Sequence, residues 1–286
     1  MKRIAFVVYR RWAGEIAKNI IPFQKENSNF LVSAIITTPS SELKTEEFKD
    51  IFIVEGNDNE KINLILEKNR IDVIFYYGWS WIVKEPILSK YICLCLHPSP
   101  LPKYRGGTPI QHQIINGESE SAVSVFKMKE GIDDGDIYKQ LPMSLSGTLT
   151  DIFGRITDLG TKITKQFVLD LINNQVVFVP QKFLEDNLPL KRRIEKDSEI
   201  LLSKAISLSY NEFYNRVRAL TDPYPNAFIL FSSAKLLIQE VEKYEIVPKN
   251  SVILNQGIME NIKDNKKPLY LRLSDSFAFV KKYRVE

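Results

Sequence analysis

Cys93-Leu94-Cys95-Leu96-His97-Pro98-Ser99-Pro100-Leu101-Pro102, continued by Lys103-Tyr104-Arg105-Gly106-Gly107, runs from an unbroken apolar segment into a histidine and three prolines. Proline donates no ladder hydrogen bond and biases the residue before it toward extended backbone. A buried strand therefore ends near His97, and the chain leaves it stiffly. Ligands of open α/β sheets bind beyond the carboxyl ends of strands, which makes this exit a candidate site. Period-two alternation puts Cys93, Cys95 and His97 on one face of a regular strand. Taken alone, the stretch reads equally well as a core strand with a satisfied histidine and a rigid turn.

On its N-terminal side, Ile4 to Val8, Phe30 to Thr37, Ile51 to Val54 and Asp72 to Tyr77 are short apolar runs rich in β-branched or aromatic residues, the pattern of strands buried on both faces. Helical spacing separates them, over about Ile16 to Gln24 and over Asn59 to Asn69, with Asn69 as a C-terminal cap. Strands alternating with helices predict parallel crossover units. The segment after the first strand is Tyr9-Arg10-Arg11-Trp12-Ala13-Gly14, which lacks the Gly-x-Gly-x-x-Gly fingerprint, so a nicotinamide dinucleotide is disfavoured. After Gly78, Trp79-Ser80-Trp81-Ile82-Val83 forms an apolar and aromatic cluster just past a strand end. It is either core or a wall for a flat ligand.

On its C-terminal side come a short helix over Ile110 to Asn116, a strand over Ala122 to Met128, and the loop Lys129-Glu130-Gly131-Ile132-Asp133-Asp134-Gly135-Asp136-Ile137. This loop carries four carboxylates and two glycines without the spacing of a calcium loop, and turn chemistry alone accounts for it. Ile152, Ile156, Leu159, Ile163, Phe167 and Leu171 predict a long amphipathic helix. Pro180 to Lys196 reads as a linker. Beyond it, Ser209-Tyr210-Asn211-Glu212 is a capping-box signature for a helix to about Leu220. Ala227 to Phe231, Leu236 to Val241, Leu269 to Leu273 and Phe277 to Val280 read as strands. The expected domains are 1–185 and a smaller β-rich C-terminal domain, 186–286.

The chain has 286 residues, ample for a large core, and a net charge of +4 from 39 basic and 35 acidic residues. That balance fits an anionic small substrate as readily as a nucleic acid, and it is well short of a strongly basic binder. The basic clusters Lys191-Arg192-Arg193 and Lys281-Lys282 read as solvated surface. Cys93 and Cys95 are poorly placed for a disulfide, which predicts a reducing compartment. With His97 and His112 they make a poor zinc set, so no metal is expected. No apolar run suits a signal peptide or a membrane span, so the expected location is the cytoplasm.

Together, Gly78-Trp79-Ser80, His97-Pro98-Ser99-Pro100-Leu101-Pro102, Tyr104-Arg105-Gly106-Gly107 and Asp133-Asp134-Gly135-Asp136-Ile137 resemble, in order and separation, the folate-dependent formyltransferases. This family includes methionyl-tRNA formyltransferase, glycinamide ribonucleotide transformylase and the sugar N-formyltransferases. The resemblance covers about residues 1 to 180. It continues more loosely through Arg218 to Phe228, which looks like a segment of the two-domain members. It implies an α/β fold with a Rossmann-like, mostly parallel sheet in the N-terminal catalytic domain, a 10-formyltetrahydrofolate donor and an amine acceptor. It also implies a catalytic triad of Asn, His and Asp, onto which His97 and Asp133 map. The Asn position is Cys95, and a thiol cannot reproduce an amide N–H donor. Losing one oxyanion-hole donor typically costs about 100- to 1000-fold in rate.

On this resemblance His97 is the proton shuttle or oxyanion partner and Asp133 orients its ring. Trp79, Trp81, Ile82, Val83, Gly131 and Asp136 are expected to hold the donor. Tyr9, Arg10, Trp12, Lys103, Arg105 and Gln111 are expected to meet the acceptor. Tyr9 to Ala13 and Gly78 to Trp81 look most like members acting on nucleotide-linked amino sugars, precursors of surface polysaccharide such as lipopolysaccharide. Methionyl-tRNA formyltransferase and a weakened folate or nucleotide-sugar binding protein are the alternatives. No nucleic-acid or membrane partner is expected, and homodimer formation is left open.

Overall fold

The computed structural model describes residues 1–49, 51–56, 58–183, 188–231, 234–254 and 267–286. The 185/186 domain boundary expected from the sequence lies outside the described residues. The chain divides into two compact units, one of residues 1–109, 120–146 and 150–190, the other of residues 110–119, 147–149 and 191–286.

The first unit holds β1 (Lys2–Val8), α1 (Arg11–Glu26), β2 (Phe30–Thr37), β3 (Ile51–Ile53), α2 (Asn59–Lys68), β4 (Val73–Tyr77), α3 (Ile87–Lys90) and β5 (Ile92–His97). After α4 (Pro109–Ile115), most of which belongs to the second unit, it continues with β6 (Glu120–Lys127), β7 (Ile137–Ser144) and α5 (Leu149–Ile172). Its sheet runs β3-β2-β1-β4-β5-β6-β7. The pairings from β3 to β5 are parallel, and β6 and β7 join antiparallel. The parallel strands are the apolar runs, because helices cover both of their faces.

On one face, Ala5, Val7, Ile74, Tyr76 and Cys93 pack with Ile62 and Leu66 of α2. On the other, Phe6 stacks on Phe75, Tyr77 meets both rings edge-on, and Phe75 in turn meets Phe167 of α5 edge-on. Gly160 lets α5 approach so closely that a Cβ there would stand 2.5 Å from Ile16 and 2.6 Å from Leu96.

Strand order reverses at β1, with β2 and β3 on one side and β4 and β5 on the other. The carboxyl ends of β1, β4 and β5 thus lie side by side at the topological switch point, where open α/β sheets bind their ligands.

The sequence reading did not anticipate β7. Its residues Ile-Tyr-Lys-Gln-Leu-Pro-Met-Ser make no apolar run, and only an edge strand tolerates Pro142. Helix α1 starts earlier than its periodicity suggests, since Arg10 caps it without a side-chain hydrogen bond and so leaves no cap signature. Among the described residues no helix is long and apolar enough to cross a membrane.

The second unit contains α6 (Leu202–Ala205), α7 (Tyr210–Ala219), β8 (Ala227–Phe231), β9 (Ala234–Tyr244), β10 (Val252–Ile253), β11 (Leu269–Arg272) and β12 (Phe277–Val285). Its sheet runs β10-β11-β12-β9-β8 and is antiparallel except for the pairing of β10 with β11. Ser209 opens α7 with a reciprocal capping box: its hydroxyl accepts from the Glu212 N–H while the Glu212 carboxylate accepts from the Ser209 N–H.

Candidate active site

Strand β5 keeps regular register with β4 from Val73 opposite Ile92 to Tyr77 opposite Leu96, so Cys93, Cys95 and His97 follow one face. At its end His97 is 6% exposed. Its Nε2 lies 2.8 Å from the Tyr104 carbonyl, and its Nδ1 lies 3.3 Å from Asp133 Oδ2. The same Oδ2 accepts from the Gly106 N–H at 2.8 Å. A carbonyl can only accept, so Nε2 carries a hydrogen. A ring that donates at Nδ1 as well satisfies both neighbours.

The turn that brings Tyr104 back over His97 is braced at several points. Ser99 Oγ donates to the Lys103 carbonyl at 2.7 Å, and Ser124 Oγ donates to the Ser99 carbonyl at 2.5 Å. Gln140 Nε2 donates to Ser124 Oγ and to the Leu101 carbonyl, both at 2.9 Å. Tyr104 adopts φ +59, left-handed backbone that such bracing must hold, whereas Gly106 takes φ +93 freely for want of a Cβ.

Cys95 contributes a neutral thiol. Burial, reinforced by the nearby Asp133 charge, pushes its pKa well up, and its Sγ lies 3.7 Å from the Leu96 carbonyl. Both cysteines are free. Among the described residues no group of His, Cys, Asp or Glu is placed to hold a metal ion.

Beside this pair the ends of β1 and β4 build an aromatic wall. Trp81 meets Tyr9 edge-on at 5.1 Å and Trp79 at 4.9 Å. The indole of Trp81 lies on Gly56, where a Cβ would come within 2.2 Å of the ring. Gly78, at φ +60, leaves space taken by Arg10 and Trp12. Arg10 lies over the Tyr9 ring and pairs with Glu42 at 2.5 Å.

The structure therefore gathers Tyr9, Arg10, Trp12, Trp79 and Trp81 at the switch point, and His97 with Asp133 at the neighbouring strand end. Arg105 joins the acid loop, donating from Nη1 to the Ile132 carbonyl at 3.2 Å and lying 4.5 Å over Phe183. The other expected site residues occupy varied surroundings. Val83 is buried in the core, whereas Ile82 is 72% exposed. The Asp136 carboxylate is held by Lys129 at 2.7 Å. Gly131 makes room for the Asp134 carboxylate, Lys103 is exposed, and Gln111 is buried in the second unit. Sequence reasoning missed Gly56, Glu42, Gln140 and Gln181. Each acts through a contact far along the chain, and none stands in a motif that would single it out.

The profile described as Formyl transferase matches residues 24–168. A methionyl-tRNA formyltransferase of Ehrlichia ruminantium (strain Gardel) is 31% identical over 219 residues, covering 72% of this chain and 68% of that protein. Among solved structures, methionyl-tRNA formyltransferase from Clostridium thermocellum is similar at TM-score 0.63 and 25% identity, covering 85% of this chain and 93% of that one. WlaRD, described as a sugar 3N-formyl transferase in the presence of dTDP and 5-N-formyl-THF, is similar in fold at TM-score 0.63 and 20% identity, covering 99% of this chain and 98% of that one.

Proposed function

Because the chain belongs to the formyl transferase family, we propose that it transfers a formyl group from 10-formyltetrahydrofolate to the amine of a nucleotide-linked amino sugar. The observation that carries this reading is the His97 ring set between the Tyr104 carbonyl and the Asp133 carboxylate, at the strand end next to the switch-point crevice.

The reaction needs a neutral amine, stabilisation of the oxyanion formed as nitrogen attacks the formyl carbon, and a proton for the departing N10. The new N–C bond replaces the N10–C bond, and one proton passes from the amine to N10. An imidazolium at His97, held by Asp133, offers positive charge to the developing oxyanion and gives one ring proton to the departing N10, and the neutral ring so formed takes the proton that the amine loses. With a neutral thiol at Cys95, electrostatic stabilisation falls to His97 and nearby backbone N–H groups. The flat donor suits the wall of Trp79 and Trp81, and it supplies the formyl carbon. Holding donor and acceptor at adjacent strand ends makes the transfer effectively intramolecular. Catalysis by residues 1–185, with 186–286 as a smaller partner domain, belongs to the same proposal.

The sugar reading is supported by the end-to-end likeness to WlaRD and by a net charge of only +4. A second reading, formylation of an aminoacyl-tRNA, is supported by the 31% identity to the Ehrlichia protein. Incubation with 10-formyltetrahydrofolate and either a panel of nucleotide-linked amino sugars or charged initiator tRNA separates them, with formylated product read by mass spectrometry. Product from tRNA alone, with binding that weakens steeply as salt rises, overturns the sugar reading. Binding of both ligands without any product overturns catalysis.

A further inference from the structure

The acid loop has a shape that few residues allow. Asp133 adopts φ +48, left-handed for a residue with a Cβ, and Gly135 lies so near the Lys127 carbonyl that a Cβ there would stand 1.7 Å from that oxygen. The Asp133 carboxylate faces His97 only while this hook keeps its form.

Gln181 reaches the hook from 48 residues farther along the chain. Its Nε2 donates to the Asp133 carbonyl at 2.9 Å and to the Gly135 carbonyl at 2.7 Å. One amide thus spends both N–H bonds on carbonyls two residues apart. The side chain is well anchored, since Val179 exchanges both backbone hydrogen bonds with Ile137 at 2.8 Å, and Pro180 then fixes the backbone leading into Gln181.

We propose that Gln181 is a positioning residue whose amide clamps the acid loop and keeps the Asp133 carboxylate on His97 Nδ1. Gln181→Glu keeps the shape but replaces the donor with an acceptor facing two carbonyls. Gln181→Lys restores donors. The kinetic arm of the test rests on the formyl-transfer reading, whereas the spectroscopic arm does not.

The chain has two histidines, His97 and His112, so ¹⁵N-histidine labelling gives two rings and an internal control. In Gln181→Glu the His97 nitrogen resonances shift while those of His112 stay, and Gln181→Lys returns them toward wild type. Misalignment on the scale of an ångström predicts a loss of about 100-fold in kcat for Gln181→Glu, with KM changed less than about threefold. His97 resonances identical in Gln181→Glu and wild type overturn the clamp. If thermal melting shows that variant unfolded, the same spectrum of Gln181→Ala decides: a shifted His97 supports the clamp, an unchanged one overturns it. A shifted His97 in a protein whose wild type transfers no formyl group leaves the clamp standing and removes the functional reading.

Discussion

Asp133→Asn removes a charge while keeping the side chain's shape, and it isolates what the carboxylate does for His97. Oδ2 faces Nδ1 at 3.3 Å with side chains 19% and 7% exposed, so solvent reaches the pair from the carboxylate side. A full charge pair at that separation is worth about 5 kcal/mol at an effective dielectric constant of about 20, an upper bound here. The net value of a hydrogen bond to a charged group is smaller, about 1.5–3 kcal/mol, because water competes for both partners. The smaller range governs the outcome. An Asn oxygen still accepts from the Gly106 N–H, so the loop keeps its anchor and the loss falls on rate. At one decade per 1.36 kcal/mol, kcat falls about 10- to 150-fold. Steady-state formyl transfer measures this, with the circular dichroism melting curve as the folding control. A variant that melts like wild type and turns over within about twofold of it would refute the charge coupling between Asp133 and His97.

Cys95→Asn places an amide where the thiol lies, weighing a new oxyanion donor against the cost of burying an amide. The donor is worth about 2.7–4 kcal/mol and an unsatisfied amide costs about 1–3 kcal/mol, so kcat holds or rises while the melting temperature drops; a large fall in kcat would give the thiol a task of its own. Gly56→Ala drives a methyl into the Trp81 ring and displaces it, at about 1–3 kcal/mol in stability. Because all three tryptophans, Trp12, Trp79 and Trp81, lie around the crevice, intrinsic fluorescence reads this change directly, and an unchanged emission spectrum counts against the packing described. Burial pushes the Cys93 thiol up to about 12 and the Cys95 thiol well above its ordinary value, and only thiolates react readily. Native protein at pH 8 therefore shows no fast-reacting thiol toward a disulfide reagent and two after denaturation; a fast native reaction at Cys95 would contradict its neutral state.

The parallel half of the sheet was legible because strands covered on both faces must be apolar throughout, as Ile4 to Val8 and Val73 to Tyr77 are. The capping box at Ser209 and Glu212 was legible because both partners are local. Strand β7 was not, since an edge strand with Pro142 and only one of its eight residues fully buried carries no periodic signal. The strand exit at His97 was visible from its prolines, yet the same residues suited an ordinary core strand equally well.

By itself, then, the sequence determined the apolar runs, their helical connections, and the chemistry available at two loops, because propensity and periodicity act over a few residues. The tertiary structure decided that His97 meets a carboxylate 36 residues away, that Trp81 rests on Gly56, and that Gln181 brackets the acid loop. Those contacts follow from strand order and from the left-handed turns at Tyr104 and Asp133. A hydrogen bond between distant residues is specified by where the backbone carries them, and no local pattern encodes that path.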